Sequence, residues 1–150
     1  MTKRWGPITW FLLHMFAEKI IDEKFQIYKN KCLEVIYNFC CHLPCPSCSQ
    51  HAKAYLNKYG FLHRIQTKKQ LRKFLWSFHN EVNKRLKKQE GNIILLKMYH
   101  EGDFQKILNL FTREILKPVG SANLTELMYK DKYANELLSF INNNKHLFYK

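Results

Sequence analysis

The stretch Leu43-Pro44-Cys45-Pro46-Ser47-Cys48 constrains this chain more than any other. Proline cannot sit inside a helix but is tolerated in its first turn, so Pro44 ends the helix before it and Pro46 opens the next, with Cys45 as the flanking cap. Two thiols three positions apart are thereby held on a proline-clamped turn near a helix N-terminus. Unpaired N–H groups and the macrodipole at that end favour a thiolate, the nucleophilic form of cysteine. On this motif alone three readings stay open: disulfide exchange, a zinc knuckle using Cys45, Cys48 and His51, or inert thiols.

The rest of the chain reads as helix. Pro7 can open a first helix in which Ile8, Leu12, Met15, Phe16 and Ile20 recur at helical spacing, with Trp10, His14 and Ala17 on a neighbouring face. A helix apolar on more than one side is central to its fold. A second helix is expected from near Gln26 to Cys41, burying Ile27, Tyr28, Val35, Ile36 and Phe39. The third starts at Pro46 and stops at Gly60, a residue suited to the left-handed conformation after a helix end. Thr67 can cap a fourth that runs to about Lys88, with Leu71, Leu75, Phe78, Val82 and Leu86 as its core stripe. His79, Asn80 and Asn83 flank that stripe and call for a satisfied polar network or a bound polar ligand. Beyond Gly91 the pattern weakens, yet Asp103 can cap a helix to Lys117, and Ser121 or Thr125 one that ends near Asn142. No internal repeat and no strand is expected.

With 150 residues, 46% of them apolar, the chain has enough for one core and too little for two large domains. Its start shows no signal-peptide pattern, and no uncharged apolar run is long enough to span a membrane, so a protein of a reducing compartment is expected. Five cysteines in such a chain are not a secreted disulfide framework. Cys32, Cys40 and Cys41 fall in an apolar helical pattern, where buried, unreactive thiols are usual. The net charge of +13 is uneven: from Lys53 to Lys88 eleven basic residues face one acid, Glu81. That surplus invites an anionic ligand or partner.

Three motifs in one order carry a resemblance: Trp5-Gly6-Pro7-x-x-Trp10-x-x-x-His14, then Pro44-Cys45-x-x-Cys48-x-x-His51, then His79-Asn80-x-Val82-Asn83-x-x-Leu86. Over about residues 3–90 the chain resembles the Erv/ALR family of FAD-linked sulfhydryl oxidases. The resemblance implies an all-α fold, a four-helix bundle enclosing FAD with a short fifth helix, here over residues 1–97, followed by a helical C-terminal extension at 98–150. It implies that Trp10 and His14 pack around the cofactor, that His51 contacts it, and that His79, Asn80, Val82 and Asn83 hold its adenosine end. Lys84 and Lys88 fall near the phosphates, and Arg4, Trp5, Gly6 and Trp76 complete the candidate cofactor set. A flavin ring needs an apolar, aromatic slot and its pyrophosphate needs cations, both of which these helices supply. The catalytic pair is then Cys45, attacked by a reduced client, and Cys48, the sulfur against the flavin. Electrons pass from that pair through FAD to O2, giving H2O2. Implied partners are reduced client proteins or a thioredoxin-like dithiol carrier, and a second copy in a homodimer.

The chain departs from the family in two respects. Where many members have a structural disulfide it carries Trp76 and Ile93, and it has no cysteine after Cys48 to serve as a distal shuttle pair. Either clients meet Cys45 directly, or one of Cys32, Cys40 and Cys41 relays. Minimal members of this kind are similar to those of large DNA viruses, which places the expected protein in host cytoplasm, at virus assembly sites or in the virion, with the mitochondrial intermembrane space as the alternative. The competing class is a zinc-binding module in which Cys45, Cys48, His51 and one of Cys41 or His42 hold the metal and the Lys53–Lys88 surface binds nucleic acid. It leaves the Trp5–His14 and His79–Asn83 motifs unexplained. Nucleic-acid binding by an oxidase of this charge would be non-specific and salt-sensitive.

Overall fold

The computed structural model describes residues 5–91, 96–115 and 124–150, and among them eight α-helices form an all-α fold. The first, α1 (Trp5–Lys19), carries Pro7 in its opening turn, and every residue from Leu12 to Lys19 is buried. A helix with no solvent face over two turns is the axle of the fold: α1 packs against α5, α6 and α7. Its two buried charges have partners. The Glu18 carboxylate accepts from Arg72 Nε at 2.6 Å, and Lys19 Nζ donates to the Lys150 carbonyl at 2.9 Å.

Helix α2 (Asp22–Cys40) begins four residues before the expected start at Gln26, with Asp22 and Glu23 in its first turn, where the helix dipole favours acids. Its core row is Phe25, Cys32, Val35, Ile36 and Phe39. Ile27, expected inside, is 72% exposed, because the row that continues from Phe25 runs down the other side of the helix. Tyr28 is only half-buried. After the cysteine turn come α3 (Pro46–Lys58) and α4 (Phe61–Arg64). Between them Gly60 takes φ +66°, the left-handed conformation expected of it, and a Cβ there would meet the Arg64 side chain at 3.0 Å.

Helix α5 (Lys68–Arg85) starts in a full capping box: Gln70 N–H donates to Thr67 Oγ1 at 3.1 Å, and Thr67 N–H donates to Gln70 Oε1 at 3.2 Å. Leu71, Leu75 and Phe78 are buried as expected, but Val82 is half-buried and Leu86 is 40% exposed, so the stripe outruns the core.

The C-terminal region adds α6 (Leu96–Glu101), which the sequence pattern did not announce, α7 (Phe104–Ile115) and α8 (Leu124–Asn143). Asp103 caps α7 as expected, its carboxylate accepting from Lys106 N–H at 3.1 Å. Thr125 falls inside α8, whereas Ser121 and Ile93 lie outside the described residues. Helices α6 and α7 cover α1, and α8 covers α2. A 3-10 turn at Lys145–Leu147 then lays the chain end along the α1–α2 junction, where Ile20 and Phe148 pair as an antiparallel bridge. One apolar core runs from Leu12 to Phe148, with Phe39 edge-on to Phe111 and Phe16 edge-on to Phe148. No helix among the described residues is long and apolar enough to cross a membrane.

Candidate functional site

The cysteine turn is held by its own side chains. Ser49 Oγ accepts from Leu43 N–H at 2.7 Å and lies within hydrogen-bond reach of the Leu43 and Cys45 carbonyls, which ties the start of α3 back over Pro44. Cys45 caps α3: its sulfur accepts from Cys48 N–H at 3.3 Å and lies 3.2 Å from Ser47 Oγ. All five cysteines are free thiols.

Both sulfurs sit where the helix end favours a thiolate, but the structure separates them. Partial burial works against ionisation of Cys45, yet hydrogen bonds from Cys48 and Ser47 outweigh it and bring the thiol down to about 7. Cys48 is pushed up, first by burial and then by sharing its proton with Cys45 and facing its charge, while the Arg85 guanidinium and Ser47 pull the other way. In the reduced pair these shifts favour the charge on Cys45 over Cys48. Burial also pushes up Cys32, to about 12, and Cys40, so neither ionises near neutral pH or reaches the surface. Cys41 is half-buried and is also raised by burial, against a hydrogen bond from Tyr37 and the charge of Lys53.

Facing the turn, α1 and α5 build an aromatic wall. Trp10 lies parallel to His79, ring centroids 4.0 Å apart and planes 7° apart, and meets Phe78 edge-on. His14 Nε2 and His79 Nδ1 are 2.9 Å apart, so one donates and the other accepts. Burial, together with the neighbouring positive charge each would face, lowers His14 to about 3 and His79 to about 4, keeping both neutral at physiological pH. Tyr99 of α6 stacks on His14 at 4.7 Å, and Trp76 stands behind the same ring at 6.0 Å.

Three open cavities meet at Val82. The first, a slot of about 50 Å³ between α1, α2, α3 and α5, brings Trp5, Gly6 and Trp10 together with Cys48. The second, about 190 Å³, is lined by Trp10, His79, Asn83, Lys88 and Tyr99. The third, about 210 Å³, has His51, Tyr55, Lys58 and Arg85 on its walls. Thr9 is buried in the first cavity and its Oγ1 has no hydrogen-bond partner, an orphaned polar atom beside Cys48. Aromatic walls with one orphaned hydroxyl, amide and imidazole groups among them and cations at the margins have the chemistry that a flat ligand with polar edges and a pyrophosphate calls for.

The structure thus brings Trp5, Gly6, Trp10, Cys48, His51, His79, Val82, Asn83 and Lys88 to the walls of three cavities that share Val82. His14 and Trp76 back the aromatic wall, Asn80 accepts from Gly91 N–H at 3.0 Å and so holds the turn after α5, Lys84 is exposed, and Arg4 lies outside the described residues. Sequence reasoning missed Thr9, Phe78 as a wall, Arg85, Leu86 as a lining residue, and Tyr99. Phe78 and Leu86 read in the sequence as core stripe, Leu86 also within the third motif, and Arg85 as one member of the basic run; Thr9 and Tyr99 leave no trace. The zinc module does not hold up: among the described residues no group of three or more His, Cys, Asp or Glu side chains could hold a metal ion.

A model of the Erv1 / Alr family matches residues 7–107. A "FAD-linked sulfhydryl oxidase" of African swine fever virus is 35% identical over 105 residues, 70% of this chain and 84% of the relative. The "Mitochondrial FAD-linked sulfhydryl oxidase erv1" of Schizosaccharomyces pombe is 31% identical over 83 residues, 55% of this chain and 46% of the relative. No solved structure matches.

Proposed function

The chain belongs to the Erv1/Alr family, and from that premise we propose that it is an FAD-dependent sulfhydryl oxidase that forms disulfides in client proteins and delivers the electrons to O2 as H2O2. The observation that carries the reading is the cavity shared by Cys48 and Trp10, where one sulfur of a Cys-x-x-Cys pair faces an aromatic slot. FAD, when bound, supplies a two-electron acceptor that O2 regenerates.

The remaining roles belong to the chain. Trp5, Gly6, Thr9, Trp10 and Phe78 would enclose the ring and exclude water, with Thr9 Oγ1 gaining a partner at a polar edge. Asn83, His79, Lys88 and His51 are candidates to hold the rest of the cofactor. The neutral His14–His79 pair orients Trp10 without placing a charge in the slot. On the oxidised Cys45–Cys48 pair, a client thiolate forms a bond to Cys45 and releases Cys48 as a thiolate; a second client thiol resolves the mixed disulfide and releases Cys45. The hydrogen bonds that lower Cys45 suit it to leave in that second step.

Clients would be thiol proteins or a dithiol carrier meeting Cys45 directly, since burial argues against Cys32 and Cys40 as relays. The homodimer and the viral or cytoplasmic setting rest on the family resemblance and on viral relatives such as that of African swine fever virus. Non-specific nucleic-acid binding rests on the net charge of +13.

The test is purification. The protein is expected to be yellow, to release FAD on denaturation, and to consume O2 with a small dithiol, forming one peroxide per disulfide. A colourless preparation without O2 uptake would end this reading.

A further inference from the structure

Client attack on the oxidised pair turns Cys48 into a leaving group. The new bond joins the client sulfur to Cys45, the Cys45–Cys48 bond breaks, and the negative charge carried in by the client thiolate ends on Cys48, so two sulfurs exchange partners with no net change of oxidation state. The walls around Cys48 are poor in groups that could meet that charge. From α1 come Trp5, Gly6, Thr9, Trp10 and Leu13; from α2 and the turn after it, Cys40 and Leu43. From α3 come Ala52 and the Ser47 hydroxyl, which faces the sulfur pair, with Cys45 itself. Helix α5 adds Phe78, Val82, Leu86 and Arg85. Among the described residues lining this cavity, Arg85 alone is cationic.

Arg85 also lines the neighbouring cavity beside His51 and Tyr55, so its guanidinium stands at the margin between the two. We propose that Arg85 is a positioning residue of the oxidase, holding a positive charge against Cys48 so that this sulfur leaves as a thiolate when a client attacks Cys45. The inference rests on the oxidase reading for its purpose, though not for its measurement. It gives the two ends of the pair different devices: hydrogen bonds at the α3 cap stabilise charge on Cys45, and a cation carried by α5 stabilises it on Cys48. Helix α5 places Arg85 three residues beyond Val82, on the turn of helix that also faces the cavities.

The test isolates Cys48. In a Cys45→Ser background, which removes the competing charge, alkylation of Cys48 by iodoacetamide is followed against pH by mass spectrometry of its peptide, with Arg85 intact, Arg85→Gln and Arg85→Lys. Because Arg85 is exposed and its field is screened, Arg85→Gln is expected to raise the midpoint by about half a pH unit and slow alkylation near neutrality about threefold. Arg85→Lys should restore most of the rate, and the difference should shrink with added salt. The buried Cys32 and Cys40 peptides are the internal standard: they stay unreactive in each variant that keeps its core closed. Superimposable Cys48 profiles with and without Arg85, or an Arg85→Lys variant that behaves like Arg85→Gln, would overturn the proposal. Flavin content is read on the same samples. Colourless protein with an Arg85-dependent profile would sink the oxidase reading and keep the charge effect, whereas yellow protein with an indifferent profile would do the reverse.

Discussion

The two halves of α5 carry the same apolar period but do different things with it. In the first half Leu71 and Leu75 are fully buried, the helix is fixed by the Thr67–Gln70 box, and Arg72 reaches back to the buried Glu18. In the second half the stripe continues through Phe78, still buried, to Val82 and Leu86, which protein no longer covers; Val82 is half-buried, Leu86 is 40% exposed, and both line the cavities around Cys48 and His79. Hydrophobic periodicity therefore says which face of a helix is apolar, and leaves open whether other side chains or a ligand lie against it. The uncovered half marks the site.

Two leucines on that stripe give the sharpest way to break the comparison. Leu75→Ala should cost about 3 kcal/mol of stability, the usual range for emptying a fully packed leucine site, with cofactor content lowered only in proportion to folded protein. Leu86→Ala should cost under about 1 kcal/mol, because the side chain is already part-exposed, yet weaken retention of FAD on gel filtration. Urea melts paired with flavin-to-protein ratios check both; equal loss of stability in the two variants would mean the halves do not differ as described.

A smaller effect comes from pH, and it belongs to the second half. His14 and His79 titrate lower in the folded protein than the ordinary histidine value, so the unfolded chain binds protons more readily over the interval between. Stability is then at its full value above about pH 6.5 and falls as the pH drops from there toward 4. The melting temperature should decline over that window in the wild type and decline less in His79→Gln. A flat profile in the wild type would contradict the neutral pair of buried His14 and half-buried His79.

The least of these effects tests the first half alone. Thr67→Ala removes the cap oxygen and should cost about 1 kcal/mol while leaving flavin content and turnover of the folded protein unchanged. Loss of flavin in this variant would show that the two halves are mechanically coupled.

What could be read in the sequence follows the strength of the local signal. Pro46 and Cys45, Thr67, Gly60 and Asp103 each mark an element boundary through backbone chemistry that tertiary packing has no reason to override, and each is found at that boundary. Ile27 misled because α2 starts earlier than expected and its buried row belongs to Phe25. Helix α6 escaped because six residues are too few for periodicity to declare itself, and with it escaped Tyr99, whose ring closes the stack on His14. Thr9 gave no sign because one hydroxyl on an apolar helix is unremarkable until its surroundings are known to offer it nothing. Arg85 was hidden in a run of charge, where only the fold tells which cation faces a sulfur.

The assignment of the two sulfurs is tested most directly by the long-wavelength absorbance of the protein with its flavin oxidised and the remaining sulfur of the pair a free thiol, after replacing each in turn. The account predicts that Cys45→Ser, which blocks client attack but keeps Cys48 beside the ring, retains a broad charge-transfer band beyond the ordinary flavin absorbance, and that Cys48→Ser shows none. A band that survives in Cys48→Ser and vanishes in Cys45→Ser would contradict it.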